Sequence, residues 1–224
     1  MSNLKSSLAR ALTTVTSVAT ILWSVGVFSA APVSAATLNN GDLVKAAGSS
    51  AVYLIQGTAK RVFPHLNVYL SWGYPSNFST VKAVSSADLA QYTEGDPVPF
   101  RDGYMFRGTA SGLGGRSATA VYVVANGLRR AVKSGEVYQA LYNDPNWARV
   151  TWVPDDLLTK FNYAEGAVVE STTSHPDGTL VKYAGADQVY LLSGGKKRAL
   201  GTGALAANRY NAALVVTLAA TETY

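Results

Sequence analysis

Histidines and paired carboxylates are the side chains of this sequence that could move protons. His65 and His175 are the two histidines, and each stands beside a proline in turn-like sequence. A general base must reach a nucleophile and be held by a third group. Neither histidine has such a set near it in sequence, and no His-x-x-x-His spacing offers a zinc site. Both read as surface residues. The acids of interest are Glu94/Asp96, Asp155/Asp156 and Asp187. Glycoside hydrolysis needs two carboxyl groups at a set separation. These acids fall instead at expected helix caps and turns, where aspartate has a structural reason to be. No Asp-x-Asp-x-Asp-Gly run points to calcium. Gly112-Leu113-Gly114-Gly115-Arg116 is glycine-rich but lacks the strand, helix and Lys-Ser/Thr ending of a phosphate-cradling loop. No catalytic, cofactor-binding or metal-binding residue is assigned, no cofactor is expected, and the chain reads as non-enzymatic.

Two further sets could bind rather than react. Trp72, Trp147 and Trp152, among many tyrosines, could line a sugar-binding face. Trp147 falls in register with Phe78 and Tyr210, and interchange among aromatics is what packing produces. Core packing is therefore preferred there, and Trp72 and Trp152 remain the candidate ligand face. The second set is a recurring basic pair ending at Arg61, Arg130 and Arg198. Arginine could grip a carboxylate or phosphate. The preferred reading is an outward-facing cation that guards a sheet edge. Asn77-Phe78-Ser79 fits the N-glycosylation pattern, whereas the matching Asn146-Trp147-Ala148 does not.

These residues belong to a repeated stretch. Val52–Arg61, Val121–Arg130 and Val189–Arg198 each run from an apolar strand through a glycine turn to a basic pair. Tyr53, Tyr122 and Tyr190 recur at a period of about 69 residues, which marks a repeat architecture. Each stretch has the form of a β-hairpin. Upstream runs at Leu43, Met105 and Leu180 add a third strand. A loop insertion is expected over Gly108–Ala120. After each hairpin, Val68-Tyr69 matches Val137-Tyr138 in a first short helix, capped by Ser134 in the second unit. Leu89 matches Leu158 in a second short helix, after cap segments Ser85-Ser86-Ala87-Asp88 and Pro154-Asp155-Asp156. Glu94-Gly95 and Glu165-Gly166 follow, the glycine expected to end the helix. A last strand is expected over Asp96–Phe100 and Ala167–Glu170. The third unit is degraded: Tyr210, Val216 and Tyr224 keep the spacing of Phe78, Val84 and Tyr92, and the sequence stops before the Glu-Gly step. The expected fold is thus β-rich α+β, in tandem repeats of about 69 residues, each a three-stranded meander with two short helices. The unit boundaries are 36–100, 101–171 and 172–224.

Residues 1–35 have the form of a secretory signal peptide: Lys5 and Arg10, then an uncharged run, then Val33-Ser34-Ala35. Cleavage before Ala36 is expected. The uncharged run is long enough to span a bilayer, so membrane attachment is expected only if the segment stays on. Without it the formal charge falls from +5 to +3. That is mildly basic and unclustered, and it argues against nucleic acid. The absence of cysteine removes disulfide stapling and thiol chemistry.

The assembled pattern resembles repeat-containing secreted surface proteins of the S-layer type from candidate-phyla-radiation bacteria. The residues that carry it are Gly41-Asp42-Leu43-Val44-Lys45, Lys60-Arg61-Val62-Phe63-Pro64, Leu128-Arg129-Arg130-Ala131-Val132 and Val153-Pro154-Asp155-Asp156-Leu157-Leu158. The resemblance implies a secreted cell-surface protein and supplies no catalytic residues; the anchoring motif of surface-layer-homology domains is missing. The expected function is that of a structural or adhesive protein of the cell envelope, one form being an S-layer component. Its partners would be further copies or an envelope polymer. The alternative is a carbohydrate- or cell-wall-binding module accompanying a separate catalytic domain.

Overall fold

Short β-branched and aromatic runs separated by glycine turns leave the chain little choice but small sheets. The computed structural model describes residues 37–108, 120–155, 157 and 164–224, and shows three of them. The expected signal peptide, the glycine-rich 112–116 segment and most of the Gly108–Ala120 insertion lie outside the described residues.

In the first sheet, β1 (Leu43–Ala46), β2 (Tyr53–Gln56) and β3 (Ala59–Val62) form an antiparallel meander. After the helix α1 (Leu66–Ser71), β4 (Val81–Val84) returns parallel to β1. After α2 (Ser86–Ala90), the two-residue β5 (Thr93–Glu94) pairs parallel with β3. The order is β4-β1-β2-β3-β5. In the second sheet β6 (Met105–Arg107), β7 (Tyr122–Ala125) and β8 (Leu128–Ala131) form the meander. The helix α3 (Gly135–Tyr142) follows, and β9 (Val150–Trp152) closes parallel on β6. The third repeats this order with β10 (Leu180–Tyr183), β11 (Val189–Ser193), β12 (Lys196–Ala199) and the parallel β13 (Val216–Leu218). Registers agree as well. Tyr53 lies between Val44 and Val62, Tyr122 between Phe106 and Ala131, and Tyr190 between Val181 and Ala199.

The sheets are mixed, not meanders extended by a strand at Asp96–Phe100 or Ala167–Glu170. The fourth strand comes earlier, between the helices: Val81–Val84 and Val150–Trp152 return to pair alongside β1 and β6. The later segments make only the short β5 and isolated bridges, Arg129↔Glu165 and Val132↔Val169. Gly95 does not end a helix either: α2 stops at Ala90 with Gln91 as its C-cap. Ser85 and Asp88 form a reciprocal capping box on α2, and Ser134 caps α3 as its sequence predicts. Of the second unit's second helix, Asp155 and Leu157 are described, both helical; Leu158 lies outside the described residues. The third group has one short helix, α4 (Ala204–Ala207), then a 3-10 turn at Ala212–Leu214.

The middle sheet is buried on both faces, so β7 reads Tyr-Val-Val-Ala without polar alternation. Phe106, Tyr122 and Val124 enter one core with Leu43, Val52, Phe63, Val68 and Tyr69. Met105, Val121 and Val123 enter another with Val181, Leu192, Val216 and Leu218. The pairing makes Leu43, Met105 and Leu180 equivalent, and likewise Val44, Phe106 and Val181. The Leu43 face of one sheet thus packs on the Val44-type face of the next, twice in succession.

Candidate functional site

The basic pair does more than guard an edge. Lys60 and Arg61 stand on β3, and Arg129 and Arg130 at the same positions of β8. In both places the next extended segment lies alongside and is held by the same bonds. Gly95 N–H donates to Lys60 O at 3.0 Å, and Gly166 N–H to Arg129 O at 3.0 Å. Val98 N–H donates to Val62 O at 2.9 Å, and Val169 N–H to Ala131 O at 2.8 Å. The first cation of each pair meets the glutamate: Lys60–Glu94 at 3.0 Å and Arg129–Glu165 at 2.8 Å. The second cation binds the carbonyl two residues later. Arg61 Nε donates to Asp96 O at 2.8 Å, and Arg130 Nε to Ala167 O at 2.7 Å. A glycine suits this position because the backbone presses on the arginine stem. A Cβ at Gly95 would sit 3.0 Å from Arg61 Cγ, and at Gly166 it would sit 2.7 Å from Arg130 Cγ. The first cation also lies over the signature tyrosine of the neighbouring strand. Lys60 is 5.8 Å from the Tyr53 ring, Arg129 4.9 Å from Tyr122 and Lys197 5.6 Å from Tyr190.

A second recurrent device fixes the hairpin turns. Asp102 accepts from the amides of Asn126 and Gly127, both at 3.0 Å. Asp177 accepts from Gly194 at 2.9 Å and Gly195 at 3.1 Å. Asn126 and Gly127 both take positive φ, 54° and 71°, as Asn-Gly turns do. Asn126 also donates its amide to Asp177 at 2.9 Å. That bond and the two turn amides hold the Asp177 carboxyl below the usual carboxylate range.

Phe78 and Trp147 are 37% and 38% exposed, so they pack locally at the surface and not in the core that their interchange suggests. Phe78 leans on Tyr69, ring centroids 5.0 Å apart, and Trp147 stacks on Tyr138 at 4.2 Å. Each rests on the preceding helix, and both take φ of 56°. The strand register places Ala212, not Tyr210, at this position in the third group: Val81, Val150 and Val215 donate to Phe78, Trp147 and Ala212 respectively. Leu218, not Val216, is likewise the counterpart of Val84. The 3-10 turn takes up the shorter connection. Tyr210 instead stacks under the Arg101 guanidinium at 3.7 Å.

The proposed ligand tryptophans part company. Trp72 is half-buried, its Nε1–H bound to Pro99 O at 2.9 Å, and lines a cleft with Tyr210 and Leu191. Trp152 is 56% exposed, the Arg107 guanidinium 4.3 Å from its ring, and does not line that cleft.

His175 is not a surface residue, and the half-buried His65 has a structural role. His65 caps α1, its Nδ1 accepting from Asn67 N–H at 3.1 Å. His175 is buried, its Nε2 2.6 Å from Leu141 O and its Nδ1 2.5 Å from Tyr224 Oη. A carbonyl can only accept, so Nε2 carries the proton and the tyrosine hydroxyl donates to Nδ1. Burial drives its pKa below the ordinary histidine value, against the pull of Leu141 O. Glu94 is ion-paired to Lys60, and Asp187 is exposed. Among the described residues no three His, Asp or Glu side chains converge as a metal site.

A cavity of about 210 Å³ lies where the three sheet groups meet. Ser71, Arg101, Tyr142, Arg149, Thr179 and Arg209 line it. Two of its three arginines are occupied as ties: Arg101 donates to Asn208 O and Arg209 O, and Arg149 to Leu214 O and Val215 O. No described helix is long and apolar enough to cross a membrane.

No family model and no curated protein matches the sequence. Among solved structures, the chain is similar to one from the periplasmic assembly of the ESX-5 inner membrane complex, at 17% identity and a TM-score of 0.20. That alignment covers 83% of this chain and 58% of the other. A chain of the intact ESX-5 inner membrane complex aligns at 16% identity and a TM-score of 0.20, over 81% of this chain and 50% of the other. The chain therefore spans about half the length of these structures, and a TM-score of 0.20 describes no shared overall arrangement.

Proposed function

We propose that this chain is a non-enzymatic structural or adhesive protein of the cell envelope, built from tandem modules of about 69 residues. In this reading residues 1–35 direct export, and the protein acts by lying against further copies or an envelope polymer. The observation that carries it is the twice-repeated packing of a Leu43-type face on a Val44-type face. Head-to-tail contacts of this kind can propagate from one copy to the next. Several polar groups have structural duties. Cations clip strands, carboxylates cap turns, and His175 bridges a carbonyl and a tyrosine.

Purified protein lacking residues 1–35 is expected to form sheets or large oligomers on concentration, seen by electron microscopy and sedimentation velocity. A strictly monomeric protein at high concentration would count against this reading. Exposed Trp152 beside Arg107 favours a second one, a carbohydrate- or wall-binding module. It requires monomer-sized protein to be pulled down by peptidoglycan or glycan, and the capture to be lost in Trp152→Ala.

A further inference from the structure

Among the described residues the third sheet has the clip without a strand for it to hold. β12 carries Lys196, Lys197 and Arg198, and all four of its residues are exposed. The register makes Lys197 the counterpart of Lys60 and Arg129, and Arg198 that of Arg61 and Arg130. Sheet order leaves β12 at the edge, with β11 on one side and no described strand on the other. Lys197 turns to the Tyr183 hydroxyl at 2.9 Å, where Lys60 and Arg129 hold a glutamate. Among the described residues neither Lys196 nor Arg198 makes a side-chain hydrogen bond or an ion pair.

We infer that β12 is a receptor edge for an extended peptide of the form Glu-Gly-x-x-apolar, bound parallel to it. The occupant's chemistry follows from the two occupied clips. Its glutamate meets Lys197 and displaces the Tyr183 hydroxyl. Its glycine N–H donates to Lys197 O and its backbone lies against the Arg198 stem, where a Cβ would crowd it as at Gly95 and Gly166. Arg198 donates to the carbonyl two residues past the glutamate. The apolar residue, four past it, donates its N–H to Ala199 O as Val98 and Val169 do to Val62 and Ala131. Addition of a strand to an open edge is a general mode of peptide recognition. Pairing of β12 with β12 of a second copy is disfavoured, because it sets Lys196, Lys197 and Arg198 against their own kind. The inference rests on the equivalence of the three modules, not on envelope location.

The test uses the chain from residue 37 to residue 224, labelled with nitrogen-15. It is titrated with a synthetic peptide of the sequence Tyr92–Phe100, Tyr-Thr-Glu-Gly-Asp-Pro-Val-Pro-Phe. Saturable shifts are expected at the amides of β12 and at Tyr183. Replacing the peptide's glycine by valine should abolish them, and Arg198→Ala in the protein should weaken binding roughly tenfold, the scale of a charge-assisted hydrogen bond. Arg198 is exposed, so that variant is expected to fold, with an unchanged amide spectrum away from β12. Unmoved β12 amides at millimolar peptide would overturn the inference. So would shifts centred on β3, indifference to the valine peptide or to Arg198→Ala, or β12 shifts that follow protein concentration without peptide. The oligomerisation assay above is read separately, so either idea can fail while the other stands.

Discussion

Two glycines at matching turns carry different burdens. Gly41 and Gly103 each donate to the corresponding carbonyl of the second strand, Ile55 O and Val124 O, and each has positive φ, +92° and +83°. A Cβ on Gly41 meets nothing within 4 Å, while one on Gly103 would lie 2.2 Å from Gly178 O. Gly41→Ala is therefore expected to cost only left-handed strain, about 1 kcal/mol. Gly103→Ala adds a clash with rigid backbone and should cost about 3 kcal/mol or more. Urea unfolding of the two variants measures the difference. Equal losses would show that the Gly103 and Gly178 turns do not touch. His175 supplies a pH prediction at the same scale. Its folded pKa is depressed, so the unfolded chain binds its proton more readily. Stability is then highest with neutral histidine and falls as pH drops below about 6.5, the unfolded value. His175→Gln should flatten the stability profile between about pH 7 and pH 5, and an unchanged slope would exclude the buried imidazole as its source.

At the scale of elements, the strand clip makes its own forecast. Arg130 ties the Ala167 carbonyl at 2.7 Å beside the exposed Val168. Arg130→Ala should cost about 1 kcal/mol and raise amide exchange at Val169, leaving β6 and β7 protected. Uniform loss of protection would mean the arginine supports the whole sheet. The constant Tyr-to-Arg spacing locates all three hairpins in the sequence, because a glycine turn between β-branched strands is a local signal. The capping box at Ser85 and the cap at Ser134 are local and legible for the same reason. The parallel fourth strand is not, because so short a run as Val-Lys-Ala-Val carries little period and its partner β1 lies two strands and a helix earlier. The clip escapes for a related reason. Basic pair and Glu-Gly are both visible at fixed positions, but their contact joins Lys60 to Glu94 across two helices and a strand. Tyr210 is misplaced by counting aromatics across a shortened connection, where Asn211-Ala212 takes the place of Asn77-Phe78.

For the whole molecule, two arginines decide whether the third sheet group moves with the others. Arg101 reaches Asn208 O at 2.7 Å and Arg209 O at 3.1 Å, with the Tyr210 ring against its guanidinium. Arg149 reaches Leu214 O at 2.7 Å and Val215 O at 3.2 Å. All four acceptors lie on the connection from α4 to β13, which returns the chain to β10. The apolar core around Val181, Val216 and Leu218 holds the same group by area alone. Area fixes contact but not orientation, whereas two cations that each bridge successive carbonyls fix both. Arg101→Ala with Arg149→Ala should thus leave the third sheet folded yet loosen its tie. Amide exchange at Leu214–Leu218 should rise several-fold, with β6–β9 unchanged, and each single variant should give an intermediate rise. Coincident loss of protection in all three sheets would mean that the cores alone make one cooperative unit and that the arginines only decorate the cavity between them.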